Sequence, residues 1–487
     1  MAKKTIAVVG AGVGGLATAA RLAHDGHNVR VYEKLPEAGG RAHCIVDRGF
    51  RFDTGPSFVL MPDFFDELFA YCGTEIGAYL DLRMLPVHYS IFYADGDTLT
   101  IFSDSTRTEL ELERIEPGAG PKYRAFLKET KRIYELVKPL MTRSFSPRSM
   151  LNPSYWGLLP RLRVFESFWK LACPFFKTDK LRYAFTFESM FLGVSPFDAP
   201  AFYSVITYAD HVQKIFHPQG GMYTIPQAFE SLARKFGAQF RYNEPVERII
   251  PRAGRYVLKL ASGSEEADAV VCNADYPYAQ RTLLNRQPRR YHYSCSVFLL
   301  YLGLKEKVSG LQHHNLFFGP RIRENLNQIF YEDAYPDEPA FYVHVPTVTD
   351  PTVAPAGKDI LYILIPVPNL EHQPVEAIDE HKQQLRSYVL RRIAEKIGKH
   401  AAELEALIEV EHHFLPGDFI SRYNLENGAT FGLAHTLFQS AFFRPANQDA
   451  TLKNMYYAGA STQPGGGLPV VIAGSRIVAD LMKNSFR

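Results

Sequence analysis

Apolar runs and glycines set the opening rhythm of the chain. Thr5 to Val9 is apolar, Gly10 to Gly15 is glycine-rich, Leu16 to Gly26 carries small and apolar residues at helical spacing, and Asn28 to Glu33 alternates. That order predicts strand, turn, helix and strand, one βαβ unit whose helix ends on Gly26. A second strand-rich zone begins near Gln239 with QFRYNEPVERII, continues through YVLKLASG and closes with AVVCNADY. Its alternation predicts a small sheet attached to the first unit. A third piece, NMYYAGASTQPGGGLPVVIAGSRIVADLM, reads as strand, glycine-rich turn and terminal helix. Residues 1–116, 218–290 and 446–487 are therefore expected to form one discontinuous domain.

Two inserts separate these pieces. Residues 117–217 are mostly helical in pattern, and residues 291–445 contain long β-like runs such as FYVHVPTV and DILYILIPVP. The fold class expected is α/β: a Rossmann-like nucleotide-binding domain, a mixed-sheet substrate domain and a helical lid or membrane-facing insert. A chain of 487 residues is too long for one simple core, which agrees. Aromatic residues reach 13% and cluster in the inserts as FESFWKLACPFF, FTFESMF and FQSAFFRP. Such clusters suit either ordinary core packing or an apolar tunnel for a long hydrophobic ligand.

Charge and cysteine content narrow the field. A formal net charge of +2 without a Lys/Arg run gives no drive toward nucleic acid. Five widely spaced cysteines without Cys-x-x-Cys argue against a disulfide framework or a cysteine–zinc site, and no other metal-ligand spacing is visible. A reducing cytoplasmic compartment is expected. Lys3, Lys4 and the run Thr5 to Ala23 imitate a secretory leader, but that stretch holds the glycine pattern that cleavage would destroy. No apolar stretch approaches the ~20 residues of a spanning helix.

Gly10, Gly12 and Gly15 form Gly-x-Gly-x-x-Gly between strand and helix. The first permits the tight turn, the second admits a pyrophosphate to the backbone, and the third lets helix and strand approach. Glu33 ends the next strand, 18 positions after Gly15, where an acid accepts from a ribose hydroxyl. EKLPEAGGRAHCIVDRGFRFDTGPS adds Gly39, Gly40 and Arg41, then Asp53, Thr54, Gly55 and Pro56. Arg41 offers a forked donor to phosphate oxygens. Near the C-terminus, Gly459 and the run Gly465, Gly466, Gly467 precede a helix, a second glycine site that a simple NAD domain does not need. EKLPEAGGRAHCIVDRGFRFDTGPS resembles the extended fingerprint of the flavin-containing amine oxidase superfamily, which implies FAD as the cofactor. The binding set expected on that resemblance is Gly10, Gly12, Gly14, Gly15, Glu33, Gly40, Arg41, Gly55, Pro56, Val246, Gly459, Gly466, Pro469 and Val470.

Beyond these, DRGFRFDTGPSFVLMP, FHPQGGMYTIPQAFESLARKFGAQF, HHNLFFGP, VPTVTDPTVAPAG, FQSAFFRP and YYAGASTQPGGGLPVVIAG resemble bacterial carotenoid desaturases of the phytoene and diapophytoene type, within the flavin-containing amine oxidase superfamily. The resemblance spans residues 5 to 482. It implies that the Gly-Gly-Arg segment runs beside the pyrophosphate and that Asp-x-Gly-Pro reaches the flavin ring. It also implies a CH–CH desaturation of an acyclic isoprenoid, with the flavin taking a hydride from an allylic carbon. YSCSVFLLYLGL and Met61 to Asp63 are similar to the diapophytoene branch and favour a C30 over a C40 substrate. Gln463-Pro464-Gly465-Gly466-Gly467 departs from the family's usual block and resembles diapolycopene oxygenases, so an end-group oxygenase stays open, as does a non-catalytic flavin-binding module.

No catalytic side chain is named. His211 and His217 are proton-transfer candidates, and Arg444 could neutralise a reduced flavin, brace a carboxylate or form a structural ion pair. Thr142 to Arg182 holds both tryptophans, Trp156 and Trp169, among eight basic and two acidic residues. It is expected either to dock peripherally on the inner face of the cell membrane or to be a solvated helix face with core aromatics. The hydrophobic polyene would enter there, and oxygen or quinone would accept the electrons.

Overall fold

The computed structural model describes residues 3–146, 149 and 151–486. The opening unit forms as strand Thr5–Val9, helix Val13–His24 and strand Asn28–Tyr32. The helix begins earlier than its apolar spacing suggests, because Gly14 and Gly15 belong to its first turn. It ends at His24, and Gly26 follows at φ +87°. The two strands lie within a five-stranded sheet in the order Met455–Tyr457, Ala269–Cys272, Thr5–Val9, Asn28–Tyr32, Gln239–Arg241. All four pairings are parallel. Helices Val13–His24 and Leu468–Ser485 pack together, so their small and apolar residues are buried. Arg21 is buried within this layer, its guanidinium paired with Glu67 and its Nε donating to Ser475 Oγ at 3.1 Å.

The zone from Gln239 divides in a way its alternation does not show. Its outer strands, Gln239–Arg241 and Ala269–Cys272, enter the parallel sheet. Val246–Arg252, Arg255–Leu260 and Gly263–Ala267 form a separate antiparallel sheet. Ile249, Tyr256 and Leu258 bury one face of that small sheet against Val9, Val270 and Tyr457.

A seven-stranded mixed sheet runs Ile408–Phe414, Ser296–Leu304, Asp359–Val367, Phe341–His344, His314–Phe317, Val87–Phe92, Thr98–Phe102. It draws on both 1–116 and 291–445, and its one parallel pairing joins His314–Phe317 to Val87–Phe92. Every residue of Ser296–Leu304 is buried, which accounts for its unbroken apolar run. Helix Ala377–Lys396 covers one face through Ile378, Leu385, Val389 and Ile393, and Phe50 and Phe52 pack on the other.

The segment 117–217 is helical, with one long helix, Ala119–Val137, followed by short turns. Tyr123, Phe126, Phe168, Phe176 and Phe185 form its core. Among the described residues, no helix is long and apolar enough to cross a membrane.

Candidate functional site

The glycine turn folds back on itself, and its backbone demands glycine at Gly10 and Gly15. Gly10 has φ +99°. A Cβ on Gly15 would fall 2.2 Å from the Gly10 carbonyl oxygen, one on Gly12 2.7 Å from Asn273 Oδ1, and one on Gly14 2.9 Å from Asn273 Nδ2. Asn273, at the carboxyl end of the strand Ala269–Cys272, is therefore the hub of the turn. Its Nδ2 donates to the Ala458 carbonyl at 2.8 Å and its backbone N–H to the Val9 carbonyl at 2.8 Å. No glycine pattern points to it; the signal is a polar residue directly after a fully apolar parallel strand, where ligands of such sheets collect.

Glu33 is buried beside this turn. Its Oε2 accepts from Ala11 N at 2.7 Å and its Oε1 from Leu35 N at 2.9 Å. Burial raises its pKa, and the N–H donors lower it by less, so the carboxyl sits above its ordinary range. Gly39 N donates to the Ala11 carbonyl at 2.8 Å and brings the Gly-Gly-Arg segment against the turn. A Cβ on Gly55 would lie 2.1 Å from the Arg41 carbonyl oxygen, so the Asp-x-Gly-Pro segment stacks directly on Arg41. Asp53 anchors that segment by accepting from Met222 N at 2.8 Å and Tyr223 N at 3.1 Å.

These elements enclose one cavity of about 680 Å³. Its walls include every expected cofactor residue except Gly15: Gly10, Gly12, Gly14, Glu33, Gly40, Arg41, Gly55, Pro56, Val246, Gly459, Gly466, Pro469 and Val470. Gly15 stands behind the wall, in the helix–strand contact. Helix Leu468–Ser485 starts at this wall with Pro469 in its first turn, and Gly467 before it has φ +101°. Arg41 Nη1 donates to the Thr430 carbonyl at 2.7 Å. Asp275 accepts from Ser461 Oγ at 2.5 Å through Oδ1, while its buried Oδ2 has no partner among the described residues. Burial raises the Asp275 pKa, and Arg41 opposes this. FAD fits these donors and acceptors: an acid for ribose hydroxyls, a helix N-terminus and an arginine for phosphates, an unpaired Asp275 oxygen for a further hydroxyl, and backbone that approaches where a Cβ would intrude. The same cavity continues along apolar walls that include Leu162, Val164, Phe187, Phe191, Leu316 and Phe318.

Several sequence expectations change here. Arg444 does not line the cavity. It is buried and donates to backbone carbonyls of Thr462 (3.1 Å), Gln439 (3.0 Å), Leu433 (3.2 Å) and Ala460 (2.5 Å). It makes no salt bridge among the described residues, so neither a carboxylate brace nor an ion pair describes it. Burial lowers its pKa to about 10. His211 is held between Tyr123 OH at 2.9 Å and Tyr89 OH at 3.1 Å, and burial lowers its pKa to about 4. Neither His211 nor His217 reaches the cavity wall. In 142–182, Trp169 is buried against Tyr183 and Phe197, and Arg163 is paired with Glu166 at 2.6 Å and Glu129 at 3.5 Å. Arg148 lies outside the described residues. Among the described residues of this stretch, Leu151 (80%), Trp156 (60%) and Phe165 (78%) are the large apolar side chains that face solvent.

Residues 13–482 match the family of flavin containing amine oxidoreductases. The chain is 41% identical to a zeta-carotene-forming phytoene desaturase from Myxococcus xanthus, over 98% of this chain and 93% of that protein. It is 34% identical to a 4,4'-diapophytoene desaturase (4,4'-diaponeurosporene-forming) from Staphylococcus haemolyticus, over 98% of each. An oxidoreductase from Methanosarcina mazei has the same fold, with a TM-score of 0.66 at 16% identity over 98% of this chain and 100% of that one. With the dinucleotide cradle in place and these relatives spanning it end to end, the chain belongs to the flavin containing amine oxidoreductase family, and its cofactor is FAD.

Proposed function

We propose that the protein is an FAD-dependent carotenoid desaturase that introduces conjugated double bonds into an acyclic isoprenoid. The observation that carries this reading is the single cavity in which the dinucleotide cradle continues into aromatic and aliphatic walls. A substrate without polar handles needs such walls for binding and orientation. FAD, when bound, supplies the acceptor for the hydride. The protein's own residues hold the cofactor, bury the polyene and exclude water. The Myxococcus relative is named for phytoene and is more similar than the Staphylococcus one, which supports a C40 substrate over the C30 that two local motifs favour.

The mouth of this cavity is read at 151–165. Tyr155, Leu158, Leu159, Leu162 and Val164 line the cavity, and Leu151, Trp156 and Phe165 of the same stretch project outward. One segment thus offers an apolar face to a bilayer and a lining to the cavity behind it, which suits extraction of the polyene from lipid. Crossing water would cost roughly 0.8 kcal/mol per exposed methylene.

The test is expression in a bacterium that makes phytoene, and in parallel one that makes diapophytoene, with pigment absorption and mass read together. Loss of hydrogen pairs from phytoene is the expected result. A product from diapophytoene alone would overturn the C40 reading, oxygen gain would point to the end-group oxygenase, and a flavin that substrate fails to bleach would indicate a non-catalytic module.

A further inference from the structure

Outside the cavity wall, four buried histidines converge: His217 from the strand Phe216–Pro218, His344 from Phe341–His344, His314 from His314–Phe317, and His313 from the bend just before that strand. His217, His313 and His314 are each 2% exposed, and His344 is 1% exposed. His344 Nε2 lies 2.9 Å from His313 Nε2, and His313 Nδ1 lies 2.7 Å from Thr349 Oγ1. The His217 ring stands edge-on to His313 with centres 4.6 Å apart. One nitrogen from each of His217, His313 and His344 falls within 4.8 Å of the others. His314 is engaged elsewhere, its Nδ1 2.7 Å from Tyr342 OH.

Hydrogen bonding alone does not satisfy this group. A neutral imidazole brings one N–H and one lone pair. His313 and His344 face each other through their Nε2 atoms. Their mutual contact and the Thr349 hydroxyl use both His313 nitrogens. His217 is left with two buried nitrogens that have no hydrogen-bond partner among the described residues. Asp350 Oδ2 is 3.7 Å from His217 Nε2, and that carboxylate is already held by Gln219, Gly220 and Thr352.

We propose that His217, His313 and His344 form a binding site for one divalent d-block cation of the class that prefers imidazole, zinc first. Three imidazole nitrogens drawn from separate elements around one point match the donor type and number of such sites. Thr349 holds the far nitrogen of His313, as groups behind metal-bound histidines do, and the Asp350 carboxylate beside His217 offsets cationic charge. The absence of a carboxylate among the three donors disfavours magnesium and calcium. Bound there, the cation would tie the strand Phe216–Pro218, next to the Asp53 anchor, to the seven-stranded sheet. This site does not depend on the desaturase reading.

The test uses the full-length, FAD-loaded protein, stripped with a chelator, dialysed and then given Zn²⁺ or, as a spectroscopic probe, Co²⁺. One equivalent of zinc per chain should survive gel filtration by elemental analysis. Co²⁺ should give visible d–d bands that added Zn²⁺ abolishes. His217→Ala and His344→Ala should each weaken retention by at least about tenfold, whereas His314→Gln should keep the full equivalent. Wild-type protein that retains no zinc and shows no cobalt bands would overturn the site and leave a hydrogen-bonded histidine cluster. Zinc retained unchanged in both alanine variants would place the metal elsewhere, and its loss from His314→Gln would overturn the three-ligand set. FAD content and circular dichroism are read on each variant, with His217→Gln as the replacement if His217→Ala does not fold.

Discussion

Glu33 holds the glycine turn with both carboxylate oxygens, on the side where the ribose of FAD is expected. Its carboxyl is raised above the ordinary range because burial outweighs the Ala11 and Leu35 N–H donors. A group raised in the folded state contributes stability that is complete below its unfolded pKa and is lost as pH climbs through its folded pKa. Cofactor-free protein should therefore lose this contribution as pH rises above the ordinary glutamate range. Glu33→Gln should flatten that part of the profile when thermal melts of wild type and variant are compared between about pH 4 and pH 8. The variant also gives up a charge-assisted acceptor for ribose, so FAD affinity should fall by roughly tenfold in a flavin-fluorescence titration. Gly12 behaves differently. Its missing Cβ is excluded first by Asn273 Oδ1 at 2.7 Å, so Gly12→Val should both expel FAD and cost about 1–3 kcal/mol of stability in denaturant melts. Colourless protein of undiminished stability would contradict this. The spacing of the glycines announces their turn in the sequence, whereas Asn273 becomes visible only when a strand far along the chain lands beside it.

At the scale of elements, the βαβ unit and the terminal helix follow from local pattern, but partner choice between distant strands does not. Val87–Phe92 pairs in parallel with His314–Phe317, a strand far along the chain that only the folded molecule brings beside it. The same limit governs 142–182. Its composition announces aromatic and basic character, but tertiary packing decides which side chains face outward. Trp169 turns inward under Arg323, whose guanidinium lies 5.6 Å from its ring, and Arg163 is spent on Glu166 and Glu129. Charge reversal at Arg163 should accordingly destabilise the protein rather than report on lipid. Leu151→Asp with Phe165→Asp should abolish sedimentation with anionic liposomes while leaving FAD content intact. Arg161→Glu with Lys170→Glu should weaken it by about 1 kcal/mol per charge. Full liposome binding by the Leu151/Phe165 variant would move the membrane face elsewhere.

For the molecule as a whole, one cavity joins two chemistries that come from different parts of the chain. The walls expected to face the cofactor are drawn from the start of the chain, the strand beginning at Val246, Asn273 to Asp275 and the C-terminal glycines, while the apolar walls come from the helical insert and the seven-stranded sheet. The separation makes the two functions independently breakable. Leu162 lines the apolar part, in the short-helix region that carries the outward-facing residues. Leu162→Trp adds bulk where the proposed polyene path runs and leaves every hydrogen bond of the dinucleotide cradle in place. Flavin content and the flavin absorption spectrum should remain those of the wild type, while kcat/KM for liposome-held substrate falls at least about tenfold, a loss of roughly 1.4 kcal/mol of transition-state stabilisation. Because the flavin should stay reducible by dithionite at the normal rate, the defect is assignable to the path of the substrate. Parallel loss of flavin would instead mean that the apolar walls and the cradle form one inseparable structure.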